Sequence, residues 1–235
     1  MALKVLLLDV GNTLLTERPS RFELYARAAR SRGVEIDERA TAALMRAAHH
    51  ELPQEIDGAW RYTDPWFEHY IERIFHERLG LPRAELGALS TELFANFSRP
   101  ETFVPFPGVE ELIERARALH LGVGIVSNWS PRLPKLLEAL GLAARVDVVV
   151  CSAIERMEKP DRAIFRRAQE HFGVAPSEAL HAGDDLERDL LGAQRAGLRS
   201  VLVDHANVHA PWDERRGPRV TSLGELATWV ERLAR

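Results

Sequence analysis

Polar residues able to do chemistry occur in four clusters along the chain, each at or soon after the end of an apolar run. In chain order the clusters are Asp9-Val10-Gly11-Asn12-Thr13, Ser127, Lys159-Pro160-Asp161 and Gly183-Asp184-Asp185-Leu186-Glu187-Arg188-Asp189. Carboxylates can act as nucleophiles or bind a hard divalent cation, and a nearby lysine can offset the charge of an anionic substrate. Taken singly, each residue could be a helix cap or a surface charge. Their combination in this order favours one chemical site.

Short apolar segments predict the elements that position these residues. Each of the five is too short for a helix, and most are rich in Val, Leu or Ile, as in buried parallel strands. The predicted strands cover residues 4–9, 122–127, 146–151, 179–182 and 200–203. Helical patterns lie between the last four strands and after the fifth, at about residues 132–140, 162–172, 189–196 and 223–233. This alternation predicts a doubly wound parallel α/β sheet.

The carboxyl ends of these strands gather the chemical residues. Asp9, Ser127 and Asp184 stand at or next to strand ends, and Lys159 lies in the loop after the third strand. In an open parallel sheet, ligands bind outside the carboxyl ends of the strands. The sequence therefore predicts that all four residues share one edge of the sheet.

Residues 17–99 have a different character. Their apolar residues recur at helical spacing, and glycine and proline residues divide the segment into about four helices. We expect an all-helical unit inserted into the α/β core, which would consist of residues 1–16 and 100–235. No internal repeat is evident.

The four clusters resemble the motifs of the haloacid dehalogenase-like hydrolase superfamily, across essentially the whole chain. The first motif of that superfamily is usually Asp-x-Asp-x-Thr, and Gly11 stands here in place of the second Asp. The helical insertion after the first motif is similar to the cap domain of the superfamily's most common capped subclass. The resemblance implies a Rossmann-like core with a helical cap.

The resemblance also implies a reaction and a metal. Asp9 would attack a phosphoryl group and form an aspartyl-phosphate, which water then hydrolyses. Mg²⁺ would lie between Asp9 and Asp184, with the backbone carbonyl of Gly11 as a third protein ligand. Ser127 and Lys159 would bind and neutralise the phosphoryl oxygens.

Further residues are candidates for substrate binding or for supporting roles. Backbone N–H groups from Gly11 to Thr13 could bind phosphoryl oxygens. Asp189 could orient Lys159 or a metal-bound water, with Asp185 as the adjacent alternative. The remaining candidates are Asn12, which could donate a side-chain hydrogen bond or serve only as a turn residue, Asn128, which could contact substrate or cap a helix, and Arg61, which could contact an anionic substrate from the cap.

Gly11 leaves the reaction open. In the family, the missing Asp protonates the leaving group and deprotonates the water, help that is commonly worth about 10² to 10⁴-fold in rate. Three hypotheses follow: a phosphatase of weak or narrow activity, a metal-independent 2-haloacid dehalogenase, and a non-catalytic module that binds phosphate and metal. The Gly183-Asp184 pair favours the first over the second, since the dehalogenases lack it.

Composition limits the partners. The net charge is −4, and basic residues are scattered among acidic ones, so neither nucleic acid nor an anionic membrane is an expected partner. The single cysteine, Cys151, cannot form an intrachain disulfide, and no apolar stretch approaches a membrane span. We expect a cytoplasmic monomer or homodimer that acts on a small phosphorylated molecule.

Overall fold

The computed structural model describes residues 2–234 and divides into two compact units. The first unit comprises the chain up to Thr16 and from Pro105 onward, and the second comprises Glu17–Val104. Two short strands, Leu15–Glu17 and Phe103–Pro105, pair with each other in a separate two-stranded sheet.

Strands and helices are named here in chain order within the described residues. The strands are β1 (Val5–Leu8), β2 (Leu15–Glu17), β3 (Glu55–Ile56), β4 (Ala59–Trp60), β5 (Phe103–Pro105), β6 (Gly122–Ser127), β7 (Val148–Cys151), β8 (Ala179–Gly183), β9 (Arg199–Val203) and β10 (Arg219–Val220). The helices are α1 (Arg21–Arg30), α2 (Glu38–Glu51), α3 (Asp64–Ile71), α4 (Leu86–Ser98), α5 (Val109–Ala118), α6 (Leu133–Ala139), α7 (Ser152–Glu155), α8 (Arg162–Phe172), α9 (Gly192–Arg195) and α10 (Leu223–Ala234).

A six-stranded parallel sheet forms the centre of the first unit. Its strand order is β10-β9-β8-β1-β6-β7, and Val5 of β1 lies opposite Gly122 of β6 and Ala179 of β8. All four residues of β1 are buried, as expected for a central strand covered on both faces. The predicted α/β fold class is confirmed. Strand β10 was not predicted, because a two-residue strand has no detectable periodicity.

Helix α8 covers part of one face of this sheet. Asp161 caps the helix by accepting a hydrogen bond from the Ala163 N–H at 2.9 Å. Phe165 is fully buried and belongs to the cluster of side chains that joins the helix to the sheet. That cluster also contains Val5, Leu7, Val126, Val150, Ile164, Ala168, Ala179, Ala193 and Leu198.

The second unit is mainly helical. It contains the four helices α1 to α4, and α3 continues as a π-helical stretch over Glu72–Arg78. Trp66 is fully buried, stacks on Tyr70 with ring centroids 5.5 Å apart, and donates its indole N–H to the Pro53 carbonyl at 2.9 Å. This unit also contains a hairpin of β3 and β4, whose two-residue strands left no signal in the sequence.

A second π-helical stretch contains Asp189, one of the candidate site residues. The sequence predicts a helix over residues 189–196, whereas helical structure begins earlier, with a π-helical turn over Leu186–Leu191 followed by α9. The Asp185 carboxylate starts this turn by accepting hydrogen bonds from the N–H groups of Glu187 and Arg188. The wider turn contains Asp189, which is buried.

No helix within residues 2–234 combines the length and apolarity needed to cross a bilayer.

We predict that Phe165→Ala lowers the free energy of unfolding by about 3–5 kcal/mol, because it leaves a cavity between α8 and the sheet. Chemical denaturation would measure the change. Arg166→Ala is the matched control, since Arg166 is the exposed next residue of the same helix. Equal effects of the two substitutions would contradict the assignment of Phe165 to the core.

Candidate active site

Asp9 lies at the centre of a buried polar cluster at the carboxyl edge of the sheet. It follows β1, and its N–H donates to the Ala182 carbonyl of β8 at 2.9 Å. Its Oδ1 accepts hydrogen bonds from Ser127 Oγ at 2.8 Å and from Lys159 Nζ at 2.6 Å. Its Oδ2 accepts only a long one, from Thr13 Oγ1 at 3.3 Å. Donors therefore hold Oδ1 in place, and Oδ2 is the oxygen more available to a reacting group.

Lys159 joins Asp9 to a second carboxylate. Its side chain is almost fully buried, and Nζ also lies 2.5 Å from Asp189 Oδ1. Burial alone lowers the pKa of Lys159, but the negative charges of Asp189 and Asp9 outweigh it and hold the pKa above its ordinary value. Lys159 is therefore a permanent cation between two carboxylates.

Asn128 fixes the loop that carries Lys159. Its Oδ1 accepts a hydrogen bond from the Lys159 N–H at 2.8 Å, and its Nδ2 donates to the Lys159 carbonyl at 3.0 Å. The side chain thus clamps the lysine backbone from the neighbouring strand end, directly after Ser127. This contact differs from both uses considered for Asn128 in the sequence, substrate binding and helix capping.

Asp189 is committed to protein groups on both oxygens. Oδ1 contacts Lys159 Nζ and His181 Nε2, the latter at 2.8 Å, and Oδ2 accepts a hydrogen bond from the Asp185 N–H at 3.0 Å. Burial alone raises the pKa of Asp189, but the charge of Lys159 and the hydrogen bond from His181 outweigh it and lower the pKa. Asp189 therefore stays ionised and orients Lys159.

Gly183 allows this approach of Asp189. A Cβ atom at position 183 would lie 2.2 Å from Asp189 Cγ and 2.5 Å from its Oδ2. Such distances are far inside van der Waals contact, so any side chain at position 183 would displace the carboxylate. Glycine is therefore needed before Asp184, at the end of β8, because a side chain there would collide with Asp189.

Asp184 has the most unusual electrostatic surroundings of the cluster. Burial, together with the negative charges of Asp9 and Asp189, raises the pKa of Asp184 to about 8. The Asn12 side chain and the charge of Lys159 act to lower the pKa of Asp184 but do not offset this rise. Asn12 adopts a left-handed backbone conformation with φ of 52°. At pH 7, this carboxyl group would be mostly ionised only beside an added positive charge.

The cluster fits a divalent cation. Asp9, Asp184 and Asp189 each offer a carboxylate oxygen, and these oxygens lie within 4.8 Å of one another. The oxygens of Asp189 already bind Lys159, His181 and a backbone N–H, so Asp9 Oδ2 and Asp184 are the better candidates for ligands. Oxygen ligands of this kind suit Mg²⁺.

Two of the remaining candidates have other contacts. The Asp185 carboxylate caps the π-helical turn, which distinguishes it from Asp189 in a way that the sequence did not allow. Arg61 belongs to the second unit, where its guanidinium lies over the Trp66 ring at 5.4 Å and donates to the Leu52 carbonyl at 2.7 Å.

Two histidines near the cluster were missed in the sequence. His181 is fully buried in β8 and was hidden within a predicted apolar strand. His205 follows the end of β9 and contacts the Thr13 carbonyl through Nε2 at 3.0 Å. The rule that strand ends carry functional residues, applied to the fifth predicted strand, would have pointed to His205.

The chain belongs to the haloacid dehalogenase-like hydrolases. The family model described as "Hydrolase: haloacid dehalogenase-like hydrolase" matches residues 3–197, which include all four motif clusters. The expected membership of this superfamily is confirmed, and the protein is a hydrolase by family.

Individual relatives align with this chain over most of its length. Haloacid dehalogenase-like hydrolase domain-containing protein 3 of Bos taurus is 30% identical, over 86% of this chain and 82% of the relative. A phosphoserine phosphatase of Thermus thermophilus is 32% identical, over 95% of this chain and 98% of the relative. A solved structure of a putative beta-phosphoglucomutase from Thermotoga maritima shares the fold, with a TM-score of 0.74, 20% identity and coverage of 98% and 100%.

The raised pKa of Asp184 leads to a pH-dependent stability. The folded-state pKa of about 8 lies above the ordinary value of 3.8, so the metal-free folded protein keeps a proton that the unfolded chain releases. The stability linked to this proton is complete below about pH 4 and is lost as the pH rises through about 8. We predict that Asp184→Asn flattens this fall in Tm in metal-free buffer.

Added Mg²⁺ gives the same experiment a second readout. It should raise the Tm of the wild type near pH 8 and leave that of Asp184→Asn unchanged, since an amide is a much weaker ligand. Asp185→Asn is the control, because asparagine keeps the helix cap while removing a neighbouring charge. Parallel pH curves for wild type and Asp184→Asn would show that Asp184 is not the titrating group.

Proposed function

We propose that this protein is a Mg²⁺-dependent phosphatase that hydrolyses a small phosphorylated molecule through an aspartyl-phosphate on Asp9. The observation that carries the proposal is the Asp9 carboxylate itself. Lys159 and Ser127 hold its Oδ1, its Oδ2 accepts a longer hydrogen bond from Thr13, and a carboxylate oxygen of Asp184 lies within 4.8 Å of one of its oxygens. One oxygen is thus oriented by donors, while the other is available to attack phosphorus.

The residues around Asp9 have complementary tasks in this proposal. Asp9 attacks phosphorus in line with the leaving oxygen and forms the covalent intermediate. Lys159 offsets the repulsion between the carboxylate and the phosphoryl oxygens, and Ser127 and the Gly11 N–H donate hydrogen bonds to those oxygens. The N–H groups of Asn12 and Thr13 already donate to the Leu15 and Val10 carbonyls, at 2.7 and 3.3 Å. Asp189 keeps Lys159 in place.

Mg²⁺ would be held by Asp9, Asp184 and the backbone carbonyl of Gly11. When bound, it supplies positive charge that lowers repulsion between the nucleophile and the phosphate. The close carboxylate oxygens support this metal site, and the raised pKa of Asp184 is consistent with it, since an added cation beside this group favours its ionised form.

Gly11 limits the rate in this proposal. A glycine can neither protonate a leaving alkoxide nor deprotonate the attacking water. We therefore propose weak or narrow activity, with faster turnover of esters whose leaving oxygen needs no proton. The aspartyl-phosphate should persist longer than in an enzyme with an acid/base at this position.

The relatives support a phosphate ester as substrate. The Thermus thermophilus relative, named a phosphoserine phosphatase, is 32% identical and aligns over nearly all of both chains. We therefore propose hydrolysis of a phosphate ester, without assigning the alcohol part of the substrate. We further propose that the helical unit acts as a cap that selects the substrate, with Arg61 as a candidate contact.

A 2-haloacid dehalogenase is the second candidate, because Gly11 removes a residue that halide displacement does not need. The close set of carboxylate oxygens of Asp9, Asp184 and Asp189 favours the phosphatase, since a metal-independent reaction needs no cation site. A panel of phosphate esters and haloacids, with and without Mg²⁺, separates the possibilities. Turnover of haloacids without Mg²⁺ would favour the dehalogenase, and binding without turnover would favour a non-catalytic module.

We predict that Asp9→Asn abolishes phosphate ester hydrolysis while the protein stays folded, because an amide has no anionic oxygen to attack phosphorus. Beryllium fluoride with Mg²⁺ should raise the Tm of the wild type and not that of the variant. Asp161→Asn is a control, since asparagine also caps α8. Wild-type turnover in Asp9→Asn would remove Asp9 as the nucleophile.

We predict that Gly11→Asp accelerates hydrolysis of sugar phosphates by up to about 10²-fold, because it restores an acid at the family's usual position. p-Nitrophenyl phosphate should gain much less in the attack step. Gly11 is outside the group of glycines with positive φ, so its φ angle does not require glycine. Gly11→Asn is the matched control without an ionisable proton, and equal rates in the two variants would contradict the missing-acid explanation.

A further inference from the structure

His205 contacts the loop that follows the nucleophile. Its Nε2 lies 3.0 Å from the Thr13 carbonyl oxygen. A carbonyl oxygen only accepts hydrogen bonds, so Nε2 carries the hydrogen in this contact. Thr13 in turn donates its hydroxyl to Asp9 Oδ2 at 3.3 Å. A single residue therefore separates His205 from the carboxylate oxygen that is available to react.

Phe106 fixes the plane of the histidine ring. The two rings stack with centroids 3.9 Å apart and an angle of 15° between their planes. The Phe106 N–H also donates to the Leu14 carbonyl at 2.8 Å. Two consecutive carbonyls, those of Thr13 and Leu14, are thus held by two residues that are packed on each other.

The chain around His205 is itself anchored. Asp204 is buried, and its carboxylate accepts hydrogen bonds from the Val208 N–H at 2.8 Å, from the His209 N–H at 3.0 Å and from Arg219 Nη1 at 2.8 Å. These bonds close the loop that begins at His205 onto the end of β9. The backbone that carries the His205 imidazole is therefore held in place by the Asp204 hydrogen bonds.

The loop that follows Asp9, residues 10–15, is called the nucleophile loop here. Few hydrogen bonds within the loop itself hold Thr13. One of the loop's internal hydrogen bonds runs from the Asn12 N–H to the Leu15 carbonyl at 2.7 Å, and three others converge on the Val10 carbonyl, which receives the N–H groups of Thr13, Leu14 and Leu15 at 3.3, 2.9 and 2.9 Å. The bond from Thr13 is the longest of the three. His205 adds a second contact to Thr13, at the carbonyl oxygen rather than at the N–H.

We propose that His205 is a positioning residue for the nucleophile loop. By holding the Thr13 carbonyl, it fixes the peptide groups of residues 11–13 and the hydroxyl that contacts Asp9. Its effect on catalysis rests on the proposed phosphatase function, in which Asp9 attacks phosphorus and the Gly11 N–H binds a phosphoryl oxygen. Its effect on the loop is independent of that function.

Hydrogen exchange and kinetics on three variants of the full chain test this role. His205→Phe keeps a ring for stacking on Phe106 and removes the donor, whereas His205→Gln keeps an N–H donor. His209→Phe is the matched control from the same loop. We expect amide exchange in residues 12–15 to rise about threefold to tenfold in His205→Phe, the usual range for loss of one hydrogen bond. Exchange should stay near the wild-type rate in the other two variants.

Turnover of p-nitrophenyl phosphate should follow the same pattern. kcat/KM should fall about threefold to tenfold in His205→Phe, through kcat more than KM, and should recover in His205→Gln. Unchanged exchange in His205→Phe would overturn the proposal, as would an equal rise in His209→Phe. If His205→Phe folds poorly, His205→Leu provides the same comparison. Failure of the wild type to hydrolyse any phosphate ester would overturn the proposed function alone, since exchange still decides the role of His205.

Discussion

The ion pairs of the buried Lys159 are the constraint on which the site depends. An ammonium group this far from water is stable only beside negative charge, and Asp9 and Asp189 supply it at 2.6 and 2.5 Å. The same pairing holds the Asp9 carboxylate in one orientation. Removing Lys159 would leave two buried carboxylates without their cation, so the lysine is the member of this set that cannot be lost. Asn128, Gly183 and His181 each support one member of this set.

The fold supplies these groups from separate parts of the chain. Asp9 and Ser127 stand at the ends of adjacent parallel strands, and Lys159 comes from the loop between β7 and α8. The register of the sheet brings the first two within hydrogen-bonding distance without any local sequence contact. Burial then strengthens every charge interaction at this edge, which explains why Asp184 responds with a raised pKa. The sheet thus sets both the geometry and the electrostatics of the site.

Sequence patterns predicted the sheet and the proximity of Asp9, Ser127, Lys159 and Asp184, because strand ends in a parallel sheet converge by geometry alone. They did not distinguish Asp185 from Asp189, since the π-helical turn that separates their environments has no periodic signature. His181 looked like part of an apolar strand, and only its contact with Asp189 reveals it. The clamp that Asn128 forms on Lys159 joins positions 31 residues apart, a separation that no local pattern encodes.

Direct detection of a phosphorylated Asp9 is the measurement closest to the central claim. The wild type would be mixed with p-nitrophenyl phosphate and Mg²⁺, quenched in acid within the first turnover, and digested for mass spectrometry. We predict one phosphoryl group on the peptide that contains Asp9, removable by hydroxylamine as expected of an acyl phosphate. Release of phosphate with no labelled Asp9 at any time, or a stable phosphoryl group on another residue, would contradict the assignment of Asp9 as the nucleophile.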